Sequence, residues 1–234
     1  MNNYAIILAS GSGERAGLKI PKQFAIIAGK TILEHTIEKF DKHNLISGII
    51  IVSNPLYIDK VKDILIKNNY EKVLKVLPGG KTRQQSSYIG ISAIKDINSN
   101  VLIHDAVRPF IDDEIISNCI EALSNYNAVN VAIESSDTIF EIDNNNLLKS
   151  TLNRKLLRRC QTPQCFKLEI IKKAHELAIY DNLTENTDDC SLVLKYNLAD
   201  IYIVNGSVNN IKITYPIDLE IANLIYDKQK KENT

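Results

Sequence analysis

Short, continuous runs of apolar and β-branched residues recur along this 234-residue chain, and stretches with helical spacing separate most of them. The runs are Tyr4–Ala9, Ile49–Val52, Val73–Leu77, Val101–His104, Val129–Ile133 and Ile201–Val204. A strand that is apolar at every position must be covered on both faces, which is the mark of a parallel sheet inside an α/β fold. Between the runs, Thr31–His43 places Ile32, Leu33, Ile37 and Phe40 on one helical face, and Tyr57–Lys67 does so with Ile58, Val61, Leu65 and Ile66. Thr82–Ile97, Asp112–Asn125 and Leu168–Tyr180 also read as helices, and Pro216 sits where a proline opens a last one. The expectation is one domain over residues 1–234, an α/β, mainly parallel Rossmann-like sheet with helices on both faces.

Asp137 to Arg154 breaks the pattern. Asp143-Asn144-Asn145-Asn146 is a turn signal between the short strands Thr138–Ile142 and Leu147–Thr151. The segment reads as a projecting β-hairpin arm, too small to bury its own faces, so a partner subunit is its natural cover. The polar stretch Lys228–Thr234 is expected to fray.

Charge excludes some partners. With 28 basic and 28 acidic residues, the chain has no net field that draws it to nucleic acid or an anionic membrane, although a local basic pocket stays open. The four cysteines form no CxxC pair and no metal-ligand spacing with the four histidines, so they read as reduced thiols. Tyr4–Ala9 is far too short for a membrane span and follows no basic region, so a soluble, cytoplasmic protein is expected.

The chemistry begins directly after the first apolar run, at Leu8-Ala9-Ser10-Gly11-Ser12-Gly13-Glu14-Arg15-Ala16-Gly17, followed by Ile20-Pro21-Lys22-Gln23-Phe24. Glycines there let backbone N–H groups close on an anion, and Arg15 and Lys22 add two cations to the same connection. Ligands bind at this edge of a parallel sheet. No Gly-Lys-Ser/Thr follows, so this is not a P-loop. The full dinucleotide fingerprint is missing too, and no acid ends the second strand, which removes a dehydrogenase reading. A flexible Gly/Ser turn with surface cations is the bland alternative; the position and the paired cations favour nucleotide phosphates.

Gly11-x-Gly13-x-Arg15 with Pro21-Lys22-Gln23 resembles the signature of the CTP-dependent polyol-phosphate cytidylyltransferases. Further matches follow in the family's order: Gly79-Gly80-x-x-Arg83-x-x-Ser86, His104-Asp105-Ala106-Val107-Arg108-Pro109, Gln161-Thr162-Pro163-Gln164, Thr187-Asp188-Asp189 and Asn210-Ile211-Lys212-Ile213-Thr214. The resemblance spans essentially the whole chain. It implies a nucleotidyltransferase sheet, CTP and a polyol phosphate as substrates, Mg²⁺, and a homodimer formed through the arm. It further implies that Arg15, Lys22, Asp105 and Lys212 carry catalysis, with Asp105 on the metal. CTP would lie against Ala9, Ser10, Gly11, Gly13, Arg15 and Lys22, and against Gly80, Ser86, Asp105 and Ala106. The acceptor would meet Asp105, Arg108, Thr138, Arg154, Thr162, Thr187 and Lys212, with Arg154 reaching the neighbouring subunit's site. Lys81 stands where the family commonly has an acid.

Each carried-over residue has a plainer alternative. Asp105 and Arg108 would make an internal salt bridge, and His104 reads as structural. Arg154 with Lys155, Arg158 and Arg159 would be a solvated basic face. Thr187 would cap a helix, Lys212 would be a charge on an edge strand, and Asp188-Asp189 would favour a helix dipole. A nucleotide-binding dimer without chemistry is a competing class, but Arg15, Lys22 and Asp105 are all present. Val107 and Ser136-Asp137-Thr138-Ile139 look closer to the ribitol-5-phosphate branch, and Thr187–Val193 to the methylerythritol branch.

Overall fold

In the computed structural model, which describes residues 1–11 and 20–232, helices and strands alternate much as the apolar pattern dictates. The chain runs β1 (Asn3–Ala9), β2 (Ile26–Ile27), β3 (Lys30–Thr31), α1 (Ile32–Lys42), β4 (Gly48–Ser53), α2 (Ile58–Asn68), β5 (Val73–Pro78) and α3 (Arg83–Ser92). It continues through β6 (Asn100–Asp105), α4 (Asp113–Ala122), β7 (Ala128–Glu134), β8 (Phe140–Ile142), β9 (Leu148–Thr151) and β10 (Arg158–Lys167). It ends with α5 (Leu168–Tyr180), α6 (Asp189–Lys195), β11 (Ile201–Asn205) and α7 (Pro216–Glu232).

Seven strands form the main sheet in the order β11-β7-β10-β6-β1-β4-β5. All neighbours pair in parallel except β10, which runs antiparallel to both β6 and β7. Successive residues of β1 serve opposite layers. Ala5, Ile7 and Ala9 pack under α1, α2 and α4 with Leu33, Ile37, Phe40, Val61 and Ile116. Ile6 and Leu8 pack on the other side with Ile91, Ile171, Ala174 and Leu192 from α3, α5 and α6. Both faces of the strand are thus dry, which is why the run has no polar alternation. Beyond β1 the chain first adds β4 and β5 on one side, then returns to place β6 on the other. That reversal opens a crevice at the carboxyl ends of β1 and β6, where doubly wound sheets bind ligands.

The arm forms as the turn chemistry requires. Asp143 accepts the backbone N–H groups of Asn145 and Leu147, each at 2.9 Å, and Asn146 takes a left-handed φ of 65°. Phe140 and Ile142 stay 56% and 55% exposed on it, so the hairpin carries apolar surface that its own chain does not cover.

Three details differ from the sequence reading. β10 was not foreseen, because it opens on Arg158-Arg159 and contains Pro163. The ladder to β7 shifts register between Cys160 and Gln164, where a proline without an N–H does no harm. The helix that Thr187 was read to cap is α6, seven residues long, but its N-cap is Asp188, whose side chain accepts from Ser191 N at 3.0 Å; Thr187 lies one residue outside. Lys228 to Glu232 continue α7 instead of fraying, in keeping with the good helix propensity of Lys, Gln and Glu.

Candidate active site

The crevice is a cleft of about 750 Å³, lined by Ala9, Ser10 and Gly11 after β1, by Lys22 and Gln23, by Gly80 to Arg83, and by Asp105, Ala106, Val107 and Lys212. A second hollow of about 230 Å³ adjoins it, lined by Arg108, Cys160, Gln161, Thr162, Gln164, Thr187 and Asp188. Arg83, Asp105 and Lys212 line both, so these three side chains mark a seam between a large and a small cavity. Sequence positions almost a hundred residues apart meet here because the β1–β6 pairing sets Leu8 opposite Asp105.

Asp105 is the centre of charge. Lys212 Nζ lies 2.8 Å from Oδ2, Arg108 Nε 3.7 Å from Oδ2 and Arg83 Nε 3.6 Å from Oδ1. Burial works to raise its pKa, but the Arg83, Lys212 and Arg108 charges outweigh burial and hold the carboxyl well below the usual carboxylate range. The Asp105–Arg108 pair expected from sequence exists, yet it is the longest of three contacts. Lys212 comes from a loop and not from an edge strand; Ile213 N donates to Val107 O at 2.9 Å and so pins the loop beside Asp105.

Behind Asp105 a buried hydrogen-bond chain fixes its backbone. His104 Nε2 meets Arg108 O at 3.0 Å, a carbonyl that only accepts, so this nitrogen carries the proton. Nδ1 then accepts from Thr162 Oγ1 at 3.0 Å, and Thr162 Oγ1 accepts from Asp105 N at 3.1 Å. Burial pushes the His104 pKa down to about 4, so the imidazole stays neutral and structural, as the sequence suggested. Arg108 Nη1 donates to Asn210 O at 2.8 Å, and Asn210 Nδ2 returns to Thr162 O at 2.9 Å.

The side of the cleft expected to take phosphates is held as tightly. Gln23 Nε2 donates to the carbonyls of Ala9 and Gly11, at 2.8 and 3.1 Å, and so fixes the turn out of β1. Lys22 beside it is nearly buried and faces the large cleft. Gly13 and Arg15, expected to contact phosphates, lie outside the described residues. Ser86 on α3 uses its whole hydroxyl: it donates to Thr82 O at 3.0 Å and accepts from Ser10 Oγ at 2.8 Å and Gly80 N at 3.2 Å. It stands behind the lining and clamps the glycine turn to the β1 loop. A Cβ on Gly79 would lie 2.5 Å from Ser10 Cβ and 3.0 Å from Ser86 Oγ, so this turn admits no side chain. Lys81 is exposed, with its backbone N–H on Gln85 Oε1 at 2.8 Å.

Among the expected acceptor residues, Arg108, Thr162, Thr187 and Lys212 line the small hollow. Thr138 and Arg154 do not; Arg154 sits on the exposed arm with Nη1 on Ser136 O at 2.9 Å. Three contributors were given no role by the sequence reading. Arg83 was seen only as a motif letter, and Asp189 as a dipole-favouring acid. In the fold Arg83 Nη1 donates to the buried Asp189 Oδ2 at 2.7 Å. Gln23 was also overlooked; its place directly after Lys22 was the available signal.

For a metal the protein offers little of its own. Among the described residues no group of three His, Cys, Asp or Glu side chains is close enough to hold an ion. Asp105, ionised and facing both cavities, is a donor of the kind that Mg²⁺ combines with substrate phosphates, so the site fits an ion brought largely by its substrate. Among the described residues, no helix is long and apolar enough to cross a membrane.

Comparison with known proteins fits this geometry. Residues 4–228 match the family described as IspD, 2-C-methyl-D-erythritol 4-phosphate cytidylyltransferase. The bifunctional ribulose 5-phosphate reductase/CDP-ribitol pyrophosphorylase of Haemophilus influenzae is 44% identical over 97% of this chain, which spans 48% of that protein's length. The 2-C-methyl-D-erythritol 4-phosphate cytidylyltransferase of Clostridium novyi is 41% identical, covering 97% of this chain and 98% of its own. The crystal structure of 4-diphosphocytidyl-2C-methyl-D-erythritol synthase from Anaerococcus prevotii superposes with a TM-score of 0.86 at 31% identity, over 97% of this chain and 96% of that one. With a cleft, a charge seam and a full-length family match in agreement, the chain belongs to the 2-C-methyl-D-erythritol 4-phosphate cytidylyltransferase family and is a CTP-using cytidylyltransferase.

Proposed function

We propose that this enzyme joins CTP to ribitol 5-phosphate, or a similar open-chain alditol phosphate, giving a CDP-alditol and pyrophosphate for a surface polysaccharide. The observation that carries a two-substrate transfer is the seam: two adjoining cavities that share Arg83, Asp105 and Lys212. CTP takes the large cleft and the polyol phosphate the small one, against Arg108, Thr162, Thr187 and Lys212. The acceptor phosphate attacks the α-phosphorus in line and pyrophosphate leaves. A phosphate dianion needs no general base, so positioning and charge neutralisation suffice. Arg15 and Lys22 serve the triphosphate, while Lys212 serves the meeting point of the two substrates. Asp105 would hold Mg²⁺ jointly with the triphosphate, and the ion would neutralise phosphate charge there.

The alditol choice rests on Val107, on Ser136-Asp137-Thr138-Ile139, and on the 44% identity to a CDP-ribitol pyrophosphorylase. A second reading, 2-C-methyl-D-erythritol 4-phosphate as acceptor, is favoured by Thr187–Val193 and by the 41% identical Clostridium novyi enzyme. The homodimer belongs to the proposal too: a second copy covers the apolar arm, and Arg154 then acts on the partner's acceptor phosphate. Pyrophosphate release from CTP, with each acceptor supplied alone, tests the reading. Turnover with ribitol 5-phosphate supports it; turnover with the methylerythritol phosphate alone overturns the alditol assignment.

A further inference from the structure

A buried network reaches the seam from behind, through residues to which neither the resemblance nor the proposed chemistry gives a task. Arg83, at the start of α3, points in two directions. Its Nη1 donates to Asp189 Oδ2 at 2.7 Å, and its Nε lies 3.6 Å from Asp105 Oδ1. Asp189 opens α6 and its side chain is only 1% exposed. Its other carboxylate oxygen accepts from Ser87 Oγ at 2.6 Å and from His175 Nε2 at 3.0 Å, and its backbone N–H donates to Gln164 Oε1 at 2.8 Å. Ser87 lies one helical turn after Arg83 on the same face, so α3 grips Asp189 twice.

An acid that merely favours a helix dipole stays near solvent, where it costs nothing to keep ionised. Asp189 is buried with both oxygens engaged, and burial of an unshared charge is expensive, so its partner must be worth holding. That partner is, among the described residues, the one arginine lining both cavities. Without Asp189, the ion pair left to the guanidinium among the described residues is the one with Asp105, Asp188 adding only its nearby charge, and its planar fork closes on Asp105 through two nitrogens. Asp105 would then be drawn from Lys212 and from any ligand of the cleft.

We propose that Asp189 is a positioning residue for cytidylyl transfer: by holding Nη1 it limits how far Arg83 leans on Asp105 and keeps the guanidinium at the seam. The inference rests on the reading that the seam is where transfer occurs. It predicts that Asp189→Asn lowers kcat by about 10–100-fold, the scale of a misplaced catalytic constellation, with the CTP KM within about threefold of wild type.

The test is a double-mutant cycle with Arg83→Gln. If Asp189 acts through Arg83, the double variant is no slower than Arg83→Gln alone, within about twofold; additive losses would mean ordinary damage and overturn the proposal. An activity-independent arm uses ¹⁵N-labelled protein, in which the Arg83 Nε–Hε resonance is assigned by its loss in Arg83→Lys. That resonance should shift or vanish in Asp189→Asn, and its persistence unchanged would overturn the proposal. Should Asp189→Asn fail to fold, Ser87→Ala removes one hydrogen bond from Asp189 and carries the same cycle and spectrum. There the expected loss in kcat is about threefold, and a wild-type kcat and spectrum would overturn the proposal. Failure of the acceptor reading shows separately, as a wild-type protein inactive on both acceptors, while the resonance still reports on the network.

Discussion

Asp105→Asn should cost stability in a way that depends on pH. At an effective dielectric near 20, the arginines at 3.6 and 3.7 Å each attract the carboxylate by about 4–5 kcal/mol, and Lys212 at 2.8 Å by about 6. The lysine term is discounted because its side chain is 40% exposed. Burial of the carboxylate takes back several kcal/mol. The amide keeps the side-chain shape, and each cation retains another outlet: Arg83 on Asp189, Arg108 on Asn210 O, and Lys212 in solvent. The net loss therefore falls at the low end for a broken buried pair, about 3 kcal/mol, which in a chain of this size lowers Tm by about 6–12 °C near neutral pH. In the fold the carboxyl titrates below its ordinary range, held there by those cations against burial. Its contribution is thus fully present above the unfolded pKa of about 3.9 and is lost as pH falls through the folded value. Calorimetric melts of wild type and variant should show a constant gap from about pH 5 to 8 that narrows below about pH 4. A variant as stable as wild type at neutral pH, or a gap unchanged at about pH 3, would refute the assignment of Asp105 as the ionised centre of the seam.

Other expectations concern catalysis. Lys22→Ala should cut kcat by about 10²–10³ with a smaller loss of CTP affinity, read by initial rates and calorimetry; lost affinity with an intact kcat would make it a binder only. Excess EDTA should stop turnover of the best acceptor and added Mg²⁺ restore it; undiminished turnover in EDTA would remove the metal from the mechanism. Arg154→Ala should raise the acceptor KM and leave the CTP KM unchanged, and mixed dimers with Lys22→Ala should recover up to about one working site per heterodimer. No recovery from verified heterodimers would place Arg154 in cis or outside the site.

Much of the architecture was legible because burial on both faces leaves a plain trace. Ile6-Ile7-Leu8 and Ile49-Ile50-Ile51 show no alternation, and the pairing of β1 with β4 sets these runs side by side with both their faces in the cores. β10 was hidden because polar residues break its apolar pattern, four of which, Cys160, Gln161, Thr162 and Gln164, line the small hollow. Arg158-Arg159 open it, and Thr162 spends its hydroxyl on Asp105 and His104. The loop after β1, the glycine turn before α3 and the acid ending β6 could be read as a site because each stands next to a strand end. Arg83 and Asp189 could not be paired from sequence, since the ion pair joins residues 106 positions apart and depends on α6, a helix too short to show a period. The same is true of Lys212, whose loop is brought to Asp105 by the Ile213–Val107 and Arg108–Asn210 hydrogen bonds.

The most direct test of the proposed function is competition. CTP is supplied with equimolar ribitol 5-phosphate and 2-C-methyl-D-erythritol 4-phosphate, and the two CDP products are counted by ³¹P NMR as the reaction starts. Their ratio equals the ratio of kcat/KM values, free of differences in enzyme concentration. The alditol reading predicts CDP-ribitol in at least about tenfold excess; an excess of the methylerythritol product would contradict it.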